Sequence, residues 1–145
     1  MFSLLMFVAT SMVLAASPLC MYDLEKTSEE LAHAATYMIF AEKDCPSNAT
    51  QCPIDLRTAL SYLGNATTNI MEADTDCVGT PDACTKNIEN IIAGLASSTL
   101  DIFTALKSCS APVQAQCAQA VNLGAIDVGK VGLSLIPAFV DCNTP

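Results

Sequence analysis

Basic side chains are scarce in this chain: six Lys and Arg stand against fifteen Asp and Glu, a net charge of −9. With no basic patch to displace counterions from phosphates, the composition argues against nucleic acid as a partner. Histidine is scarcer still. His33 is the single one, so no second imidazole exists to complete a metal site. No glycine-rich phosphate loop occurs, and no serine has a base near it in sequence. His33 does have Glu29, Glu30 and Tyr37 at helical neighbour spacing, a pattern that could suggest acid–base work. It falls opposite the apolar seam described below, however, which places it on a solvated face. The paired acids Glu29 with Glu30 and Asp74 with Asp76 lack the ligand rhythm of a calcium loop and read as solvated helix surface. The expectation is therefore no catalytic residue, no metal, no cofactor and no enzyme.

Charge is also missing from the first 16 residues, "MFSLLMFVATSMVLAA". They run apolar into small residues, as the hydrophobic region and cleavage zone of a secretory signal do, although no Lys or Arg precedes them. Cleavage after Ala15 fits best, with Val13 three residues before the cut. At 16 residues the run is shorter than the roughly 20 of a spanning helix, so any membrane association would come only through an uncleaved N-terminus. The expected organisation is a signal peptide at 1–15 and one domain at 16–145.

Cysteine, by contrast, is plentiful. Eight cysteines in an acidic chain with such a start indicate disulfides in an oxidising compartment, the secretory pathway, rather than zinc. The six-residue spacing between neighbouring cysteines also exceeds the two of thioredoxin-like redox sites. Two sequons, at Asn48 and Asn65, are compatible with secretion and are possible glycosylation sites.

The cysteines sit at 20, 45, 52, 77, 84, 109, 117 and 142. They mark four segments with 24 residues between bounding cysteines, joined by loops of six, six and seven. Counting from each opening cysteine as zero, offset 4 is Leu24, Leu56, Ile88 and Val121. Offset 11 is Leu31, Leu63, Leu95 and Val128; offset 18 is Met38, Ile70, Ile102 and Leu135. Offsets 8, 15 and 22 interleave as a second column that includes Leu60, Ile92, Ala35, Thr67, Leu106 and Phe139. Spacing that alternates four and three is the seam of a helix in a left-handed bundle. Each repeat therefore predicts one amphipathic helix, at about 21–44, 53–76, 85–108 and 118–141. Asp23, Asp55 and Asn87 serve as first-turn residues, with Pro53 also in a first turn. Small residues at offset 12 (Ala32, Gly64, Ala96, Gly129) and offset 21 (Ala41, Ala73, Ala105, Ala138) are expected to flank the seam. The fold class is all-α, an antiparallel four-helix bundle of four repeats of about 32 residues.

A 25-residue helix spans about 37 Å, and bridged cysteines need Cα atoms within about 7 Å, so no helix bridges its own ends. Antiparallel packing gathers Cys45, Cys52, Cys109 and Cys117 at one end and Cys20, Cys77, Cys84 and Cys142 at the other, leaving nine pairings. Because every loop is bracketed alike, the expected set is 45/52, 77/84, 109/117 and 20/142. The chief rival keeps the first and third and joins 20/77 and 84/142. An eight-residue loop contributes roughly 2.5 kcal/mol and a long closure roughly 5 in the chain-entropy model.

The fourth helix differs from the others. Its outward offsets 9, 16 and 23 are Ile126, Leu133 and Val140, with Leu123 beside them, where the first helix carries Glu29, Thr36 and Lys43. Such a stripe marks a partner surface or a ligand groove, or else a bundle skewed to bury this helix more deeply. Pro137 removes a backbone donor there and should bend the last turns.

The pattern C-x24-C-x6-C, clearest in "CPIDLRTALSYLGNATTNIMEADTDC" and "CTKNIENIIAGLASSTLDIFTALKSC", resembles the cysteine-bounded helical repeats of secreted proteins abundant in dinoflagellate algae. Asp23, Asp55, the four alanines at offset 21 and the endings Asp44-Cys45, Asp76-Cys77 and Asp141-Cys142 match that pattern; Ser108 and Ala120 depart from it. The resemblance covers residues 20–142 and implies fold and source, since that family has no assigned activity. The functional expectation is a secreted, non-enzymatic structural or protein-interaction module, with a carrier of a small hydrophobic ligand, lipid or pigment, as the alternative.

Overall fold

The computed structural model describes residues 18–110 and 114–143; the expected signal peptide at 1–15 lies outside them. Four helices account for nearly all of this: α1 (Pro18–Asp44), α2 (Gln51–Asp76), α3 (Asp82–Cys109) and α4 (Gln114–Cys142). There is no strand among the described residues. Each helix packs on its two sequence neighbours around a square, with α4 returning to α1. The α1–α2 and α3–α4 contacts are much the more extensive.

Every helix begins before its opening cysteine, two to four residues earlier than the spacing suggests. Pro18 and Pro53 fall in first turns, where a missing N–H costs nothing. The start of α2 is fixed by Asn48, whose Oδ1 accepts the N–H groups of Thr50 (3.2 Å) and Gln51 (3.0 Å). Between α2 and α3, Gly79 takes φ +87°, a left-handed conformation that glycine adopts at no steric cost. Because the helices start early, Asp23 and Asp55 are not first-turn residues. They lie more than a turn inside their helices and are buried, 4% and 2% exposed.

The seam is one column removed from the expected one. Offsets 4, 11, 18 and 25 are in it, but the interleaving column is offsets 0, 7, 14 and 21. Buried there are the opening cysteines, Thr27, Ala59 and Ile91, then Ala34, Ala66, Ser98 and Val131, then Ala41, Ala73, Ala105 and Ala138. The offset-8, 15 and 22 residues Leu60, Ile92, Ala35, Leu106 and Phe139 are half-buried against its edge. The alanines at offset 21 are thus core rather than flank, while Ala32, Gly64, Ala96 and Gly129 face solvent. Both columns satisfy the four-three rhythm; the opening cysteines decide between them. Once the helix includes its opening cysteine, offset 0 is a helical position that must face its bridging partner, and offsets 7, 14 and 21 follow on the same face.

Antiparallel register then sets large against small. With Cys20 opposite Cys77, offset 18 of one helix lies level with offset 7 of the next, so Met38 and Ile102 share a layer with Ala59 and Gly124. A Cβ added at Gly124 would lie 2.9 Å from Met38 Cε and 3.2 Å from Ile102 Cγ1. Alternating volumes let these layers fill at interior density while the helices approach closely. The polar members return hydrogen bonds to their own helices. Thr27 Oγ1 donates to the Asp23 carbonyl at 2.7 Å, and Ser98 Oγ to that of Gly94 at 2.9 Å.

The disulfides are Cys20–Cys77, Cys45–Cys52, Cys84–Cys142 and Cys109–Cys117, with Cα atoms 4.5–4.8 Å apart. The expected pairs 77/84 and 20/142 are therefore replaced by 20/77 and 84/142. The physical reason is the uneven packing. The closely packed helices are α1 with α2 and α3 with α4, so each hairpin is bridged at both ends. The α2–α3 and α1–α4 seams are looser. Two doubly stapled hairpins result, joined covalently by the Cys77–Cys84 connection alone.

Candidate functional site on the outer face of the fourth helix

The candidate chemical groups do not converge. His33 is exposed and stacks on Tyr62 across the α1–α2 groove (centroids 4.8 Å, 24° between planes), and Tyr37 stacks on Tyr62 at 5.7 Å. Its neighbouring acids are engaged elsewhere: Glu29 pairs with Lys26 at 3.2 Å, and Glu30 accepts from Asn65 Nδ2 at 3.4 Å. Asn65 lies mid-helix on α2, whereas Asn48 is exposed in the α1–α2 loop. At each end of the bundle four sulfurs lie within 4.8 Å of one another. All eight are tied in disulfides, and the thiolate is the form that binds metal.

Acid pairs beside the disulfides carried no signal as pairs in the sequence. The residue three after each opening cysteine meets the residue just before the closing cysteine of the paired helix. Burial comes first, then a hydrogen bond with Asp76 and the charges of Asp76 and Glu72; together they push Asp23 up to about 6. Asp55 is raised in the same sense by burial and by Asp44, with a hydrogen bond from Gln51 (2.9 Å) opposing. In the third pair an amide takes one place, Asn87 Nδ2 donating to Asp141 Oδ2 at 2.7 Å. The fourth pair would be Ala120 with Ser108, and no acid stands there. Asp23 Oδ2 and Asp55 Oδ2 are buried without a donor, and a carboxyl proton held within the pair would supply one. Asp101 is also pushed up to about 6, by its hydrogen bond with Asp127, then by burial and the Asp127 charge, against the pull of Lys130. The three acid pairs lie apart: Asp23 with Asp76 and Asp55 with Asp44 at opposite ends of α1 and α2, and Asp101 with Asp127 between α3 and α4.

The stripe on α4 is different. Leu123, Ile126, Leu133 and Val140 are 54, 45, 67 and 61% exposed, and Ile136, also on this face, is 61% exposed. The skewed-bundle explanation is thereby removed, since α4 buries Val121, Val128, Val131 and Leu135 instead. Lys130 is the only charged residue among the exposed positions of this helix, 3.8 Å from the less exposed Asp127. Gly129 stands beside it with open space where a Cβ would be. The helix continues through Pro137 to Cys142. Among the described residues, Ala115–Cys142 is the one helical stretch long and apolar enough to cross a membrane by length and composition.

A second concavity lies between the start of α2 and the end of α3. This surface cleft of about 600 Å³ is lined by Pro53, Arg57, Phe103, Leu106 and Lys107, with Cys109 the seam residue that reaches it. Arg57 and Lys107 are two of the six basic residues in the chain, and neither is in an ion pair among the described residues. The chain matches no protein-family model, no curated protein and no solved structure.

Proposed function

We propose that this is a secreted, non-enzymatic structural or protein-interaction module that docks through the outer face of α4. One observation carries the reading: a nearly uncharged apolar stripe stands in solvent on a helix that buries Val121, Val128, Val131 and Leu135 on its opposite side. Isolated exposed apolar residues need no explanation, but a contiguous face of five does. Four disulfides, typical of extracellular and secretory proteins, hold that face rigid at both ends of its helix, so docking would cost little ordering entropy. Native mass spectrometry of protein collected from its own secretory route tests this. The expected result is a complex heavier than the chain that Leu133→Asp disperses; a bare chain in both samples would sink the reading.

The α2–α3 cleft favours a second reading, a carrier. Its apolar floor at Phe103 and Leu106 and its two unpaired cations suit a small amphipathic anion better than an uncharged lipid buried along the seam. In the same spectra a carrier would add a few hundred daltons that Arg57→Glu removes.

A further inference from the structure

We infer that Cys109–Cys117 is a reactive disulfide whose reagent is a small anionic thiol of the glutathione class, entering through the α2–α3 cleft and joining Cys109 as a mixed disulfide. The inference rests on the carrier reading above, since it takes the same cleft and names what the cations there receive. Access is the first discriminator, because thiol–disulfide exchange requires a thiolate to reach one sulfur of the bridge. Cys20, Cys77, Cys84 and Cys142 are all buried, so neither bridge at that end of the bundle is open to a reagent. At the other end each bridge joins a buried cysteine, Cys52 or Cys117, to a half-buried one, Cys45 or Cys109. Two candidates remain.

Charge separates them. Cys109 lines the cleft that also holds Arg57 and Lys107, and no acid lines it. Cys45 lines a smaller hollow of about 150 Å³ between α1 and α4, where Glu42 is the one charged lining residue. In a chain whose fifteen acids outnumber six basic residues, a cleft with two cations and no acid is a local reversal of sign. Such a cleft concentrates anions and raises their rate of encounter. An anionic thiol is therefore drawn to Cys109 and repelled from Cys45. Its thiolate sulfur bonds to Cys109 Sγ, the bond between Cys109 and Cys117 breaks, and the electron pair leaves on Cys117 as a thiolate. A second thiol anion then bonds to the first, which frees Cys109 as a thiolate and carries the reagent away as its own disulfide. The hairpin survives both steps, because Cys84–Cys142 still staples α3 to α4. Cys109–Cys117 spans a sequence separation of only 8 against 58 for that second staple, so opening it releases the smaller constraint on the unfolded chain.

The test treats purified, disulfide-intact protein with reduced glutathione, quenches it in acid early in the reaction, and maps by mass spectrometry which cysteine carries the glutathione. Cysteamine, which has an ammonium in place of the carboxylates, is run in parallel. Glutathione is expected on Cys109 ahead of Cys45 by at least roughly tenfold. With cysteamine the ratio of Cys109 to Cys45 should fall by at least roughly tenfold, and added salt should shrink the difference between the two reagents. Arg57→Glu should slow glutathione addition at Cys109 roughly tenfold and leave the rate at Cys45 unchanged. Arg57 is exposed, so the variant should keep its helicity and disulfide map, both of which are checked; the comparison of reagents does not depend on it. First addition at Cys20, Cys77, Cys84 or Cys142, equal addition at Cys45 and Cys109, or a ratio indifferent to reagent charge would each overturn the inference. A bound mass that Arg57→Glu removes from native spectra, without selective addition at Cys109, would defeat this inference and keep the carrier. Selective addition with no bound mass would keep the reactive disulfide and defeat the carrier.

Discussion

Stability should fall as pH rises through the range where most proteins gain it. Asp23 is buried beside Asp76 and Glu72, and its carboxyl is pushed from the ordinary 3.8 up to about 6. Between those values the folded chain keeps a proton that the unfolded chain has released. Folding is then favoured by acid. The contribution is whole below about pH 4 and is lost as pH approaches and passes 6. A shift of two units corresponds to about 3 kcal/mol, and the raised Asp101 and Asp55 act in the same direction. Urea unfolding with disulfides intact, followed by circular dichroism at pH 4, 5, 6 and 7, measures it. General repulsion in a chain of net charge −9 has the same sign, so a substitution must separate the two. Asp23→Asn recreates the arrangement of Asn87 with Asp141, where the donor is an amide that needs no proton. The variant should lose about 3 kcal/mol of the wild-type difference between pH 4 and pH 7 and gain stability at pH 7. Moderate salt should flatten what remains, because exposed charges are screened and buried pairs are much less so. If Asp23→Asn kept the full wild-type slope, the shared proton would be refuted.

Two further outcomes follow from the packing. Ala66 is fully buried in a seam layer with large neighbours, so Ala66→Leu should cost about 1–3 kcal/mol in the same urea assay. A neutral result would return the interior to the offset-8, 15 and 22 column. The connectivity of two stapled hairpins can be read from a gel. With a protease site placed in the Val78–Pro81 turn, cleavage should give two fragments on non-reducing denaturing electrophoresis, each a disulfide-closed hairpin. A band that keeps the mass of the uncut chain would mean that 20/142 or another inter-hairpin bridge holds them together.

The chain's own rhythm was sufficient for much of this. Eight cysteines at regular spacing and aliphatics seven apart imply four helices of one length, antiparallel, with sulfurs gathered at two ends, because helix rise and disulfide reach leave no other arrangement. The uncharged stripe at Ile126, Leu133 and Val140 was also legible, since it needs only the 3.6-residue turn. What could not be read was which of two columns with equal spacing is the interior. Leu60, Ile92 and Phe139 are larger than Ala59, Ala66 and Ala105, so hydrophobicity alone points to the wrong column. Close approach of backbones favours the smaller one, and closeness is a property of pairs of helices. The disulfide closure depended on the same thing. Equal loops make the pairings look alike along the chain, whereas unequal packing of neighbouring helices puts Cys20 against Cys77 and Cys84 against Cys142. The buried acids complete the list. Asp23 and Asp76 are 53 residues apart in sequence, and only the antiparallel register brings them together. Sequence fixes what each helix offers on each face; tertiary structure alone decides which faces meet, because that choice compares packing energies between chain segments that no local pattern relates.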